Sequence, residues 1–334
     1  MVAAKLPTLI FTPSVIINVN SRCLKQAKEN RYAMPVNPIS NCDPTAVHGP
    51  IPSRARRAGL LAVWPTVASL SFLVAGCASA PLDRAGSLRS YDGLKQSDGM
   101  VTRSLLKVNK DEVLAAKTVK IIPTAFSMRA ESAAFTPVQR NLVTNAVDRT
   151  LCSGLSERFV IVGLSEPADL TVRAVVTQVK PTNTTAVGAS KVASVAKSVL
   201  LPGVPVPVPR IPIGMGSLSL EAEAIDGQGA QKAVMIWGRG ANAFFDSGTV
   251  AKEGDAYSLA AKFGSDFSKM LVKGRTPFGT MPFPSRAKLA GLVGRAPKYE
   301  ACKVFGKSPG VAGFIGERIG LPPKWTDKTA PNAS

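Results

Sequence analysis

Ser217-Leu-Ser-Leu-Glu-Ala-Glu-Ala-Ile-Asp226 alternates at almost every step. Leu218, Leu220, Ala222 and Ala224 fall on one side of an extended chain, and Ser219, Glu221 and Glu223 on the other, because successive strand side chains point to opposite faces. A strand of this kind belongs to a sheet with one covered face and one solvated face, as antiparallel sheets have. Residues 169–177 repeat the pattern: Leu170, Val172, Ala174 and Val176 share one face, and Thr171, Arg173 and Thr177 share the other with Val175. Residues 232–240 supply a further strand, with Val234 and Ile236 read as its apolar face.

Two amphipathic helices bracket these strands. Thr136-Pro137 reads as an N-cap and first helical residue, followed by Val138, Leu142, Val143, Ala146, Val147 and Leu151 at helical spacing up to Gly154. The second helix starts near Asp255, read as its N-cap, and runs to Val272 with Leu259, Phe263, Phe267, Met270 and Leu271 as its stripe. Short β-rich runs at 118–122 and 159–162 complete the order β-α-β-β-(insert)-β-β-α. That order predicts an α+β domain over 116–274, with a mainly antiparallel sheet and two principal helices packed on one face. The insert, 181–216, predicts a helix of small residues over 187–200. A Pro-alternating run over 201–212 follows, extended and unable to complete a sheet ladder. A loop laid across its own domain is the favoured reading of that run over a docking segment. Residues 77–115 are polar and weakly periodic and read as a tether. Residues 275–334, with ten basic and three acidic side chains and eight Pro, read as an extended basic arm.

The 334 residues carry 41 Lys and Arg against 22 Asp and Glu, a formal charge of +19, with a single histidine. An apolar fraction of 45% excludes a disordered chain. The charge alone suggests an acidic partner, but it is unevenly spread. Arg54, Arg56 and Arg57 precede an uncharged stretch over 58–76, and Cys77-Ala-Ser-Ala80 follows at once. A basic head, an apolar core and small residues at the junction describe an export signal. A membrane-spanning helix is the alternative for an apolar run of this length, but Pro65 and the junction cysteine weigh against it.

Val74-Ala75-Gly76-Cys77 resembles the lipobox of bacterial lipoproteins. The resemblance implies cleavage between Gly76 and Cys77 and acylation of Cys77, so that acyl chains hold the protein on a bilayer. Ala78 at the following position implies the outer membrane, with the domain facing the periplasm. Residues 54–76 are then a signal peptide and 1–53 an over-extended leader. Removal of residues 1–77 takes eight basic and two acidic side chains and leaves 33 and 20, a charge of +13. It also takes His48, so the mature chain has no imidazole for Ser-His-Asp or Cys-His catalysis or for metal ligation. No metal or other cofactor is expected.

Further runs resemble the proteobacterial lipoprotein family known as domain of unknown function 3313. They are Ala85-Gly-Ser-Leu-Arg-Ser-Tyr-Asp-Gly-Leu94, Asp169-Leu-Thr-Val-Arg-Ala174, Pro181-Thr-Asn183, and Ser219-Leu-Glu-Ala-Glu223 with Asp226. The resemblance spans roughly 85–273 and leaves 275–334 uncovered. It implies an envelope lipoprotein with an α/β domain, and it carries no catalytic residues.

Three constellations are candidates for chemistry. Glu221 and Glu223 share a strand face at a spacing of ~7 Å, compatible with an acid/base carboxylate pair, but alternating acids are also what a solvated strand face looks like. An Arg173 on a neighbouring strand would simply pair with one of them. Gly238-Arg-Gly-Ala-Asn-Ala243 nearly matches a dinucleotide-binding glycine pattern but lacks its strand-to-helix context, and reads as a strand end. Cys152 lies off the apolar stripe of its helix, beside Asn141, Asn145, Asp148 and Arg149. In an oxidising compartment it is available to Cys302, a bond closing a loop worth ~4–5 kcal/mol. The basic residues come as singles without interleaved aromatics, so no nucleic-acid partner is expected. Taken together, the residues predict a non-enzymatic binding or accessory module of the bacterial envelope. Its membrane contact is through Cys77, and an envelope protein, anionic lipid or cell wall stays open as its partner. The alternatives are an accessory lipoprotein of a lipid or solute transporter, and a periplasmic hydrolase using Glu221 and Glu223.

Overall fold

In the computed structural model, residues 80–131, 135–189, 214–243, 246, 248–279 and 296–327 are described. The signal segment, Cys77 and the Pro-rich run over 201–212 lie outside the described residues.

Among the described residues, eight strands form one mixed sheet: β1 (Lys95–Gln96), β2 (Arg103–Val108), β3 (Thr118–Ile121), β4 (Ala125–Phe126), β5 (Val160–Val162), β6 (Leu170–Lys180), β7 (Ser217–Ile225) and β8 (Gln231–Gly240). Their spatial order is β1-β2-β8-β7-β6-β3-β5, with β4 also paired to β6. The ladders from β1 to β6 through β2, β8 and β7 are antiparallel; those of β3 with β5 and β6, and of β4 with β6, are parallel. The helices are α1 (Lys110–Ala115), the single turn α2 (Met128–Glu131), α3 (Pro137–Leu155), α4 (Gly254–Lys273), α5 (Gly310–Ile319) and α6 (Pro323–Thr326), with a 3-10 turn at Glu300–Phe305. The predicted α+β class holds, with α3 and α4 packed together on one sheet face.

Local chemistry explains the two long helices. Thr136 Oγ1 accepts from the Gln139 N–H at 3.3 Å while Gln139 Oε1 accepts from the Thr136 N–H at 2.9 Å, a reciprocal cap that satisfies otherwise orphaned donors. Helix α4 begins at Gly254 with Glu253 as its cap residue, not Asp255. The Asp255 carboxylate instead accepts from the Gly216 N–H at 2.7 Å, tying the helix start to the entry of β7. The α4 stripe of Leu259, Phe263, Phe267, Met270 and Leu271 is fully buried, with Trp237 meeting Phe263 edge-on at 5.6 Å.

Cross-strand register decides which sheet residues join that core. Leu220 faces Trp237, Ala222 faces Met235 and Ala224 faces Ala233, all in the helix-side core. Val234 and Ile236, read as the apolar face of their strand, therefore lie on the side away from the helices, where they form a second cluster with Leu88. In β6 the alternation slips at a bulge between Val176 and Gln178, so that Val179 returns to the main core opposite Leu218.

Two further expectations change. The predicted tether is, over 80–115, part of the domain: it supplies β1, β2 and α1 and crosses the second sheet face. The predicted extended arm is, over 296–327, a folded lobe of one 3-10 turn and two helices. At the insert, residues 184–189 are helical, somewhat before the predicted start, and the remainder of that prediction lies outside the described residues.

Candidate functional site

The predicted carboxylate pair is inaccessible. Glu221 and Glu223 do share a face of β7, but both are 0% exposed, not solvated. Residues 80–94 run across that face as a strap whose donors converge on the two carboxylates. Glu221 accepts from the Ala85 N–H at 2.9 Å, the Ser87 hydroxyl at 2.6 Å and the Tyr91 hydroxyl at 2.8 Å. Glu223 accepts from the Arg89 N–H at 3.0 Å, Gln231 Nε2 at 2.7 Å and Arg173 Nε at 2.5 Å. Arg173 is the cross-strand neighbour of Glu223, and it also donates to the Ser87 carbonyl at 2.7 Å. Burial, and then the Glu221 carboxylate, raise Tyr91 above the ordinary phenol range, so its hydroxyl stays a donor. Every one of these contacts is spent on holding the strap to the sheet, a structural role.

Gly238 has a role in the same strap. A Cβ there would lie 3.0 Å from the Pro81 carbonyl oxygen, so glycine lets the strap pass close over β8. The glycine pattern at 238–243 is thus a strand end under a covering segment.

A concave feature lies on the other side of the domain. A cleft of about 440 Å³ opens between α3, the first half of α4 and the C-terminal lobe. The disulfide Cys152–Cys302, across a sequence separation of 150, pins that lobe to α3. At the base of the cleft Arg149 donates to Asp327 Oδ1 at 3.1 Å and pairs with its second oxygen, while the Tyr257 hydroxyl donates to Asp327 Oδ2 at 2.7 Å. Burial first, and the Asp327 charge next, raise Tyr257 well above its ordinary value, so it donates at any physiological pH. Ser258 donates to Glu317 at 3.0 Å on one wall. Ala146, Ala261, Gly313 and Phe314 present small or apolar surface. Thr249 lines the cleft too; it is 3% exposed and its hydroxyl has no hydrogen-bond partner among the described residues.

On α3, Asp148 accepts from both the N–H and the hydroxyl of Thr124, yet burial pushes its carboxyl up to about 7. Among the described residues no group of three or more His, Cys, Asp or Glu side chains could hold a metal ion, and no helix is long and apolar enough to cross a membrane.

Sequence reading identified the cysteines and the Glu pair but missed Arg149 as an ion-pair partner and missed Tyr257, Thr249 and Asp327 altogether. One signal was present: if Cys152 meets Cys302, then Arg149, three residues before it on α3, is also covered by the C-terminal segment.

A family model described as protein of unknown function, DUF3313, matches residues 83–267, which include most of the strap, the strands β1 to β8 and most of α4. Its match ends before the C-terminal lobe. No curated protein matches the chain. Among solved structures, the PelC dodecamer from Paraburkholderia phytofirmans is similar at 14% identity and a TM-score of 0.28, over 56% of this chain and 98% of that one. A substituted PelC dodecamer from the same organism matches at 14% identity and a TM-score of 0.27, over 52% and 93%.

Proposed function

The chain belongs to the family described as protein of unknown function DUF3313; we propose, on its own residues, that it is a lipid-anchored outer-membrane lipoprotein acting as a non-enzymatic binding or accessory module of the bacterial envelope. The observation that carries the binding role is the cleft between α3, α4 and the C-terminal lobe. It is of ligand-pocket size and lined largely by small or apolar side chains, with a buried Thr249 hydroxyl that has no hydrogen-bond partner among the described residues. The anchor rests on Arg54, Arg56, Arg57 and the Val74-Ala75-Gly76-Cys77 junction, which resemble a lipoprotein signal. A hydrolase built on Glu221 and Glu223 has the weaker case, since both carboxylates are sealed beneath the strap and committed to its donors. The same cleft supports a second reading, an accessory lipoprotein of a lipid or solute transporter, because that role calls for an apolar groove.

Two measurements test the proposal. The mass of the N-terminal peptide of protein purified from bacterial envelopes should be that of an acylated Cys77; an unmodified Cys77 preceded by Gly76 overturns the anchor. A photo-crosslinking residue placed at Ala261 in the cleft should form an adduct with an envelope component in living cells. An adduct-free protein overturns the binding role.

A further inference from the structure

Helix α5 is inside out. At about 100° per residue, Val311, Phe314, Ile315 and Ile319 occupy one arc of roughly 140°, with Arg318 inside it. The opposite arc holds Gly310, Gly313, Gly316 and Glu317. In a helix that serves a protein core the bulky apolar side turns inward. Here the small side does: Gly310 and Gly316 are buried, while Val311, Phe314, Ile315 and Ile319 are 48–61% exposed. The packing requires this orientation. A Cβ on Gly316 would fall 2.6 Å from Thr326 Cγ2 of α6, and Glu317 is held inward by the Ser258 hydroxyl. Trp325 on α6 is 63% exposed, and Val250, whose N–H donates to the Gly320 carbonyl at the end of α5, is 44% exposed.

Charge is sorted in the same way. Over residues 307–327 the acids are Glu317 and Asp327, and both are used inside, by Ser258 and by Arg149 with Tyr257. The cations of that stretch, Lys307, Arg318 and Lys324, are all exposed, with Arg318 lying over the Phe314 ring at 5.0 Å. Exposed branched apolar groups, a half-wet Trp and surrounding cations with the acids withdrawn are what an anionic bilayer surface complements.

We infer that α5 and Trp325 form a membrane-docking face that lies on an anionic phospholipid leaflet, with Val311, Ile315 and Ile319 entering the acyl boundary, Phe314 at the rim shared with the cleft, and Lys307, Arg318 and Lys324 meeting the headgroups. The inference deepens the lipoprotein reading: Cys77 would hold the chain at the membrane, and this face would orient the domain there.

The test uses the full chain carrying Trp64→Phe, which removes the tryptophan of the signal segment. Trp237 is fully buried and gives a constant background, so changes report Trp325. The protein is reconstituted with vesicles of phosphatidylcholine, with or without phosphatidylglycerol, using brominated acyl chains as quenchers. Trp325 emission should fall about twofold with phosphatidylglycerol present and little in its absence. Ile315→Ser with Ile319→Ser should abolish the quenching while leaving the melting curve in place, since both side chains already face outward. Emission indifferent to brominated lipid overturns the inference, as does quenching that survives the double substitution. Protection of Trp325 that rises with protein concentration in the absence of lipid overturns it in favour of a second copy. Failure here and failure of the anchor are separable: an acylated Cys77 with unquenched Trp325 removes only the docking face, and an unmodified Cys77 with quenched Trp325 removes only the anchor.

Discussion

The two faces of the central sheet are closed by different physics. On the helix side, Leu218, Leu220, Ala222, Ala224, Met235 and Trp237 meet the α3 and α4 stripes, and the contact is apolar and non-directional. On the other side a single strap covers β6, β7 and β8 through two buried carboxylates, their donors and a small cluster of Leu88, Val234 and Ile236. The first kind of cover tolerates substitution of one hydrophobe for another. The second demands particular donors at particular positions, since a buried carboxylate deprived of them carries a large desolvation penalty.

The largest expected effect lies on the helix side. Reducing Cys152–Cys302 opens a loop of 150 residues and should cost about 4–5 kcal/mol on the chain-entropy model. The cost is read as a lower denaturant midpoint, with proteolysis beginning in residues 296–327 and the strap still protected. Equal protection of the lobe before and after reduction would mean that the bond is not what holds it.

On the strap side, Glu221→Ala leaves the Ala85 N–H and the Ser87 and Tyr91 hydroxyls without their acceptor and should cost ~3 kcal/mol in chemical denaturation. Glu221→Gln, which keeps an acceptor oxygen, should recover part of that loss. A neutral Glu221→Ala would show that the strap is held by its Glu223, Arg173 and Leu88 contacts without Glu221.

Between these lies a pH effect confined to the helix side. Asp148 has a folded value of about 7 against an ordinary 3.8, so the folded state binds its proton more tightly than the unfolded state does. The resulting stabilisation is complete below pH 3.8 and is lost as pH rises through about 7, at up to ~1.4 kcal/mol per pH unit. Asp148→Asn should flatten the contribution of this group between pH 5 and 7. An unchanged slope in the variant's pH–stability curve would assign that window to other groups.

The smallest effect tests the strap donor by donor. Tyr91→Phe removes one of the hydroxyls on Glu221 and should cost about 1 kcal/mol, because Ala85 and Ser87 remain. A double-mutant cycle of Tyr91→Phe with Glu221→Ala should show that the two losses are not additive. Additive losses would mean that the tyrosine is held by something other than this carboxylate.

Legibility in the sequence divides along the same line. The helix face was readable because burial by apolar contact leaves a periodic trace: Leu259, Phe263, Phe267 and Met270 at helical spacing, and Leu218 to Ala224 in alternation. The strap face was misread because a solvated Glu and a Glu buried under backbone N–H donors occupy the same alternating position. β8 was read with one apolar face for a related reason. With both its faces covered it is apolar from Ala233 to Trp237, and period alone does not separate Val234 from Met235. In the candidate site, the cysteine pair was visible as residue types and location. The Arg149, Tyr257 and Asp327 network joins residues up to 178 positions apart, with no spacing rule to reveal it.

By itself the sequence determined the α+β class, the capped helix at Thr136, the family and the pairing partners open to Cys152, because propensity, capping and apolar period are local properties. The tertiary structure alone decided that Glu221 and Glu223 are struts under a strap, and that residues 296–327 fold into a lobe over α3. It also decided that α5 turns its bulky side outward. Each of these depends on which distant segment covers a surface, and a covering contact is a property of two segments together, written in neither one.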